Sequence, residues 1–266
     1  MRTTKTKKLL AFILALVMLV GSVLPVAAAD AEDNKSEAGT KVSLQELTDE
    51  YSLISYEEYK KKYNYTAESI AGLRTGKEVT VAATDYLEGE EYTSGDIKVD
   101  KIDGVDCIVT PQVSKVSWKL QVPETGFYYV MIKYRSTTDL TTDIERIFTI
   151  NGKAPYQESR YQSMPKTWSF EYLSKDGERE GAFKPDTVGN ELRPEAVVSH
   201  QWAEYSISDA DGYYTIPLEF YLEAKAEATD DKPATSGEII LTLEGVRDEM
   251  AIAEIGIYSY EELPSY

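Results

Sequence analysis

Side chains suited to binding chemistry gather in one loop-rich excursion, between Lys153 and His200 and just beyond it. Arg160-Tyr-Gln-Ser-Met-Pro-Lys-Thr-Trp168 sets a cation, hydrogen-bonding groups and aromatic rings close together, and Phe183, Asn190, Arg193 and Trp202 follow. Aromatic planes stack on the apolar faces of sugar rings, while Asn, Arg and Asp side chains fix hydroxyls. Loops held at one end of a rigid scaffold are a usual place for such contacts. Arg160, Tyr161, Trp168, Asn190, Arg193 and Trp202 are therefore the candidate ligand-binding residues. A structural reading competes with this one. Trp168 and Trp202 would then cover a sheet edge, while Arg146 and Arg193 would pair with Glu145, Glu191 or another acid to tie the excursion down.

Catalytic chemistry finds less support. His200 is the single histidine and Cys107 the single cysteine, so no His/Cys zinc set can be assembled. A Ser-His-Asp triad would have to use His200, and no Gly-x-Ser-x-Gly elbow occurs. Phosphate-binding glycine loops and dinucleotide fingerprints are missing as well. Carboxylate pairs carry no information among 46 Asp+Glu residues, most of which belong on a solvated surface. No enzymatic activity is expected.

The elements that must carry the excursion read as strands. Val116, Trp118, Leu120 and Val122 alternate with polar residues, Pro123-Glu-Thr-Gly126 supplies turn chemistry, and Tyr128, Val130, Ile132 and Tyr134 share the next face. This stretch is expected to be a β-hairpin, its glycine tolerating positive φ. Val79–Thr84, Gly104–Thr110, Ile144–Ile150 ending in Asn151-Gly152, Trp202–Ile207, Glu238–Leu243 and Ala251–Tyr258 are further strands. Tyr214, Ile216, Leu218, Phe220 and Leu222 form one buried face, with Pro217 marking an edge or bulge. Asp209-Ala-Asp-Gly212 is a turn. Cys107 reads as a small buried hydrophobe. Ser43–Glu50 and Ser55–Tyr63 have helical character; the second carries Tyr56, Tyr59 and Tyr63 at helical spacing for docking on the sheet. The fold class expected is all-β, an antiparallel sandwich of jelly-roll type with a short N-terminal helical segment.

Residues 1–29 have the layout of a secretory signal peptide: Arg2, Lys5, Lys7 and Lys8, an apolar run from Leu9 to Leu24, then Ala27-Ala28-Ala29. That leader holds four of the 28 Lys+Arg and no acid, so its removal moves the net charge from −18 to −22. A surface this acidic disfavours nucleic acid and anionic membrane as partners. No later stretch is apolar enough to span a membrane. Residues 30–76 are expected to be an acidic linker with a short helix, 77–260 the sandwich, and 261–266 the start of a linker to a downstream region. The last expectation rests on the echo of Ser55-Tyr-Glu-Glu-Tyr59 in Tyr258-Ser-Tyr-Glu-Glu262.

Three segments carry a resemblance: Trp118-Lys-Leu-Gln-Val-Pro-Glu-Thr-Gly-Phe-Tyr128, Thr149-Ile-Asn-Gly152 and Ala251-Ile-Ala-Glu-Ile-Gly-Ile-Tyr258. They resemble the galactose-binding-like β-sandwich modules of carbohydrate-active proteins. Asp143–Gly152, Gly189-Asn-Glu-Leu-Arg-Pro194 and Gly212-Tyr-Tyr-Thr-Ile-Pro217 further resemble the N-terminal region of large bacterial extracellular solute-binding proteins that serve carbohydrate ABC transporters. The resemblance implies a secreted, carbohydrate-binding module and, through a missing downstream domain, a transporter permease as partner. A structural spacer and an accessory domain of a glycan-degrading enzyme are the alternatives. It also implies a structural calcium ion, for which Asp85, Asp209 and Asp211 are the candidate ligands.

Overall fold

The computed structural model of the protein describes residues 53–170, 186–190, 192, 195–228 and 234–260. The leader, the helical expectation over Ser43–Glu50, Phe183, Arg193 and the expected linker at 261–266 lie outside the described residues.

Among the described residues two short helices come first, α1 (Tyr56–Lys62) and α2 (Ala67–Ala71). The expected helix at Ser55–Tyr63 forms because Ser55 and Glu58 cap each other: the Ser55 hydroxyl accepts from the Glu58 N–H, and the Glu58 carboxylate accepts from the Ser55 N–H. Acids in its first turn and lysines in its last suit the helix dipole.

The strands follow: β1 (Glu78–Ala82), β2 (Lys98–Ile102), β3 (Val105–Thr110), β4 (Lys115–Gln121), β5 (Gly126–Ser136) and β6 (Ile144–Ile150). A helical turn, α3 (Gln157–Arg160), leads into β7 (Tyr161–Met164) and β8 (Trp168–Phe170). The series ends with β9 (Ala196–Val198), β10 (Ala203–Ser206), β11 (Glu219–Leu222), β12 (Glu238–Arg247) and β13 (Met250–Tyr258). One sheet runs β10-β5-β13-β3-β2, with β1 also paired to β13 and β11 to β5; the second runs β4-β12-β6-β7; β8 and β9 pair separately. Every pairing is antiparallel. The all-β sandwich is the fold.

The expected hairpin over Val116–Tyr134 is not one. Its strands lie in different sheets: β4 pairs with β12, while β5 pairs with β10, β11 and β13. The turn between them is an arch, and the two apolar faces belong to one core across the sandwich instead of lying side by side. Alternation reports which face is buried and is blind to the lateral partner. Gly126 also has a different role from the one expected. Its φ is not positive; instead, a Cβ there would meet the Leu73 carbonyl oxygen at 2.3 Å, the same oxygen that accepts from the Phe127 N–H. The genuine two-residue hairpin is β2–β3, turned by Asp103-Gly104 with positive φ at both residues. Asn151-Gly152 makes the same kind of turn, as expected, closing Ile150 on Lys153. The face predicted from Tyr214 to Leu222 is buried only from Leu218 onward. Pro217 has no N–H to offer a ladder, Ile216 is exposed, and the strand starts at Glu219.

β11 lies at an edge of its sheet, and tyrosines complete it. The Glu219 N–H donates to the Tyr56 hydroxyl and the Tyr221 N–H to the Tyr59 hydroxyl, while the Tyr156 hydroxyl donates to the Glu219 carbonyl. Two of these tyrosines come from α1, so the helix docks its stripe on the sheet as expected. The Glu219 carboxylate is buried beneath Arg74, at 2.9 Å, and the Tyr65 hydroxyl.

Polar anchors close one end of the sandwich. Arg146 points inward from β6, and its guanidinium donates to the carbonyls of Glu145 (2.8 Å), Arg247 (2.9 Å) and Thr110 (3.4 Å). The expected pairing with Glu145 is taken by Arg247 instead, at 2.7 Å. Burial pulls the Arg146 guanidinium down to about 10, against the pull of Asp248 and Glu249. Lys166, fully buried, places its ammonium 2.5 Å from Asp248 Oδ2, 2.6 Å from the Leu140 carbonyl and 3.0 Å from the Thr138 hydroxyl. Removing one partner of a buried pair leaves the other charge stranded. Lys166→Met is therefore expected to cost about 3–5 kcal/mol in urea unfolding at neutral pH. Burial alone would raise the Asp248 carboxyl, but bonds from Lys166, Thr138 and the Glu249 N–H outweigh it and hold it below the usual carboxylate range. Its contribution is complete above the unfolded value, about 4, and is lost as pH falls through the depressed folded one. Stability measured below about pH 4 should thus fall less steeply in Asp248→Asn than in the parent protein.

Candidate functional site

A groove of about 390 Å³ opens where α3 and the start of β7 face the loop between β10 and β11. Arg160, Tyr161, Asp209 and Asp211, singled out from the sequence for two different roles, line it together with Glu158 and Tyr213.

Each wall is held by buried polar contacts. Gln162 and Met164 point inward from β7, which turns Tyr161 outward, 45% exposed. The Gln162 side-chain oxygen accepts from the Tyr205 hydroxyl (2.9 Å) and the Ser208 N–H (3.0 Å), and its amide donates to the Ser159 carbonyl. One buried amide thereby ties β7 to the facing loop. On that loop Asp209, nearly buried, accepts from the backbone N–H groups of Asp211 (3.1 Å), Tyr213 (2.7 Å) and Tyr214 (3.2 Å). Gly212, at φ 75, completes the expected turn. Tyr214 folds back, edge-on to Tyr56 at 5.0 Å, and its hydroxyl donates to Glu57. Tyr213 is left pointing into solvent, 84% exposed. Burial, followed by the carboxylates of Glu57, Glu158 and Asp209, pushes the Tyr214 phenol above its ordinary value. The Arg160 guanidinium lies over the Tyr161 ring, 5.2 Å from its centroid.

The remaining predicted residues go elsewhere. Trp168 is half-exposed at 48% and stands on β8 opposite Val198, away from the groove lining. Asn190 closes a local turn, its amide donating to Asp186 at 2.9 Å. Trp202 packs on a face of the larger sheet, against Cys107, Ala251 and Ala253, and not at a sheet edge. Cys107 is buried there, as expected. Asp85, itself exposed, ends a helical turn after β1 whose first residue, Ala83, is buried. Asp85 does not join Asp209 and Asp211, and among the described residues no group of three or more His, Cys, Asp or Glu side chains is arranged to hold a metal ion. His200 bonds the Ser136 carbonyl through one ring nitrogen and Asp139 through the other, both at 2.9 Å.

Sequence reasoning missed Tyr213 and Glu158. Tyr213 was not legible as an outward ring, because its orientation comes from the Asp209 turn and not from a strand face. Glu158 carried no signal among so many acids. A larger cleft, about 570 Å³, runs between α1 and the 151–155 turn, but there Tyr63 and Tyr221 stack on each other, 4.6 Å apart.

No family model matches the chain, and no curated protein matches it. Among solved structures, the C-terminal CBM6 of the laminarinase LamC from Zobellia galactanivorans is 13% identical, over 69% of this chain and 100% of its own, with a TM-score of 0.38. A family 35 carbohydrate-binding module from Clostridium thermocellum is 11% identical, over 69% and 99%, with a TM-score of 0.34. The GH26-CBM35 β-(1,4)-mannanase of Podospora anserina is 12% identical over 71% of this chain, with a TM-score of 0.40, and the match spans 29% of the mannanase. These likenesses are remote; the sandwich described above rests on this chain's own strands.

Asp209→Ala should remove the acceptor of three backbone N–H groups and cost about 1–3 kcal/mol in thermal or urea unfolding. Proteolysis within residues 209–213 should become faster in the same variant.

Proposed function

We propose that this chain is an exported, non-catalytic carbohydrate-binding module whose ligand lies in the groove between Tyr161 and Tyr213. The observation that carries this reading is the exposure of those two rings. Buried anchors on both walls, Gln162 and Asp209, hold a phenol outward beside hydrogen-bonding side chains. Large aromatic surface left in water needs a reason, and a sugar face stacked on it, with hydroxyls bound by Arg160, Glu158 and Asp211, supplies one. The same reading makes His200 a loop tie and leaves the groove as a place for holding, not cleaving.

The wider setting belongs to the same proposal. The leader in residues 1–29 supports export, and the resemblance of the 143–217 segments supports membership in an extracellular solute-binding protein for carbohydrate uptake. In that setting the module would hold glycan near a permease contacted by a downstream region. A spacer role is favoured by the engagement of Trp202 and Asn190 in the protein's own structure.

A glycan array on the protein separates the two. Binding to at least one glycan supports the module, and Tyr213→Ala should weaken that binding about tenfold with an unchanged melting temperature. A folded protein that retains no glycan would overturn the module reading and favour the spacer.

A further inference from the structure

The charge on the groove walls narrows the class of sugar, on the reading that the groove binds one. Three of the lining side chains are acids, Glu158, Asp209 and Asp211, and Arg160 is the single base. Asp209 is committed to backbone N–H groups. Glu158 accepts at Oε2 from the Tyr56 N–H, at 2.8 Å, and among the described residues Oε1 has no such partner. The exposed Asp211 carboxylate makes no hydrogen bond or ion pair among the described residues. At the groove margin burial is the first cause that raises the Tyr214 phenol, Glu57 the next, and the groove acids Glu158 and Asp209 add to it. Around all of this the chain carries a net charge of −18.

Two physical effects then act in one direction. The exposed face of Tyr213 attracts a cation through the ring quadrupole, while the Tyr161 ring already carries the Arg160 guanidinium. Unpaired carboxylates beside them attract an ammonium and repel a uronate. Neutral hydroxyls would be accommodated, but they would not answer the charge. We propose that the ligand is an amino sugar, a glycan whose hexosamine units carry free protonated amines, with a ring on a tyrosine face and the ammonium on Asp211.

The test is isothermal titration of short glucosamine oligosaccharides, their N-acetylated counterparts of equal length, neutral glucose oligomers and oligogalacturonate, near pH 6 in physiological salt. The free-amine oligomer is expected to bind about fivefold or more tighter than the acetylated one. Asp211→Asn should erase that preference, and added salt should shrink it. Tighter binding of the acetylated, neutral or uronate oligomers would overturn the amine assignment and leave the glycan reading standing. A preference that survives Asp211→Asn would also overturn it, because the attraction would then belong to the acidic surface at large. Failure of every oligomer to bind, alongside an empty glycan array from folded protein, would bring down the glycan reading and this inference with it.

Discussion

A chain that passes repeatedly from one sheet to the other must bring the backbone of its arches close to an apolar interior. Carbonyl groups there need donors, since a buried polar group without a partner costs free energy comparable to a lost hydrogen bond. Here two buried cations meet that demand at one end of the sandwich. Arg146 gathers carbonyls from β3, β6 and the end of β12, and Lys166 gathers those of the β5–β6 connection while pairing with Asp248 after β12. The arches are thereby tied to one another as well as to their own strands. The position of the second sheet, and of β7 at its edge, depends on that closure.

The groove inherits its geometry from this frame. β7 is the last strand of the second sheet, whereas the loop carrying Asp209 and Tyr213 leaves β10 of the first. Its two walls therefore belong to different sheets, and their spacing is a property of the whole sandwich. Gln162 makes the local correction, with donor and acceptor ends of one amide used on opposite sides of the seam. Nothing at the rim has to be rigid for Tyr161 and Tyr213 to be well placed, because the anchors beneath them are buried.

Much of this was legible in the residues. β6 occupies the expected span, α1 forms where the tyrosine spacing and charge order put it, and the Asp209–Gly212 turn closes as its composition implies. What alternation could not convey was partnership, which is why β4 and β5 read as a hairpin although each pairs elsewhere. β2 escaped notice because four of its five residues face water and show no apolar rhythm. The site was half visible. Arg160 and Tyr161 were singled out as candidate binders and Asp209 and Asp211 as candidate metal ligands, yet only the fold reveals that they share one groove. Trp202 lies outside the groove lining and against a sheet face, and a tryptophan packed there and one awaiting a ligand have the same sequence surroundings.

The tyrosine hydroxyls on β11 have a further meaning. A sheet is in effect a polymer that can add strands at its open margin, and an uncapped margin is an invitation to a neighbouring molecule. Tyr56, Tyr59 and Tyr156 end that growth with single oxygen atoms, occupying the sites where another backbone would dock. The helix that brings two of them acts as a chain stopper. A protein working at high local density, among many copies of itself, would keep this margin closed by such means, with no disulfide and no extra strand.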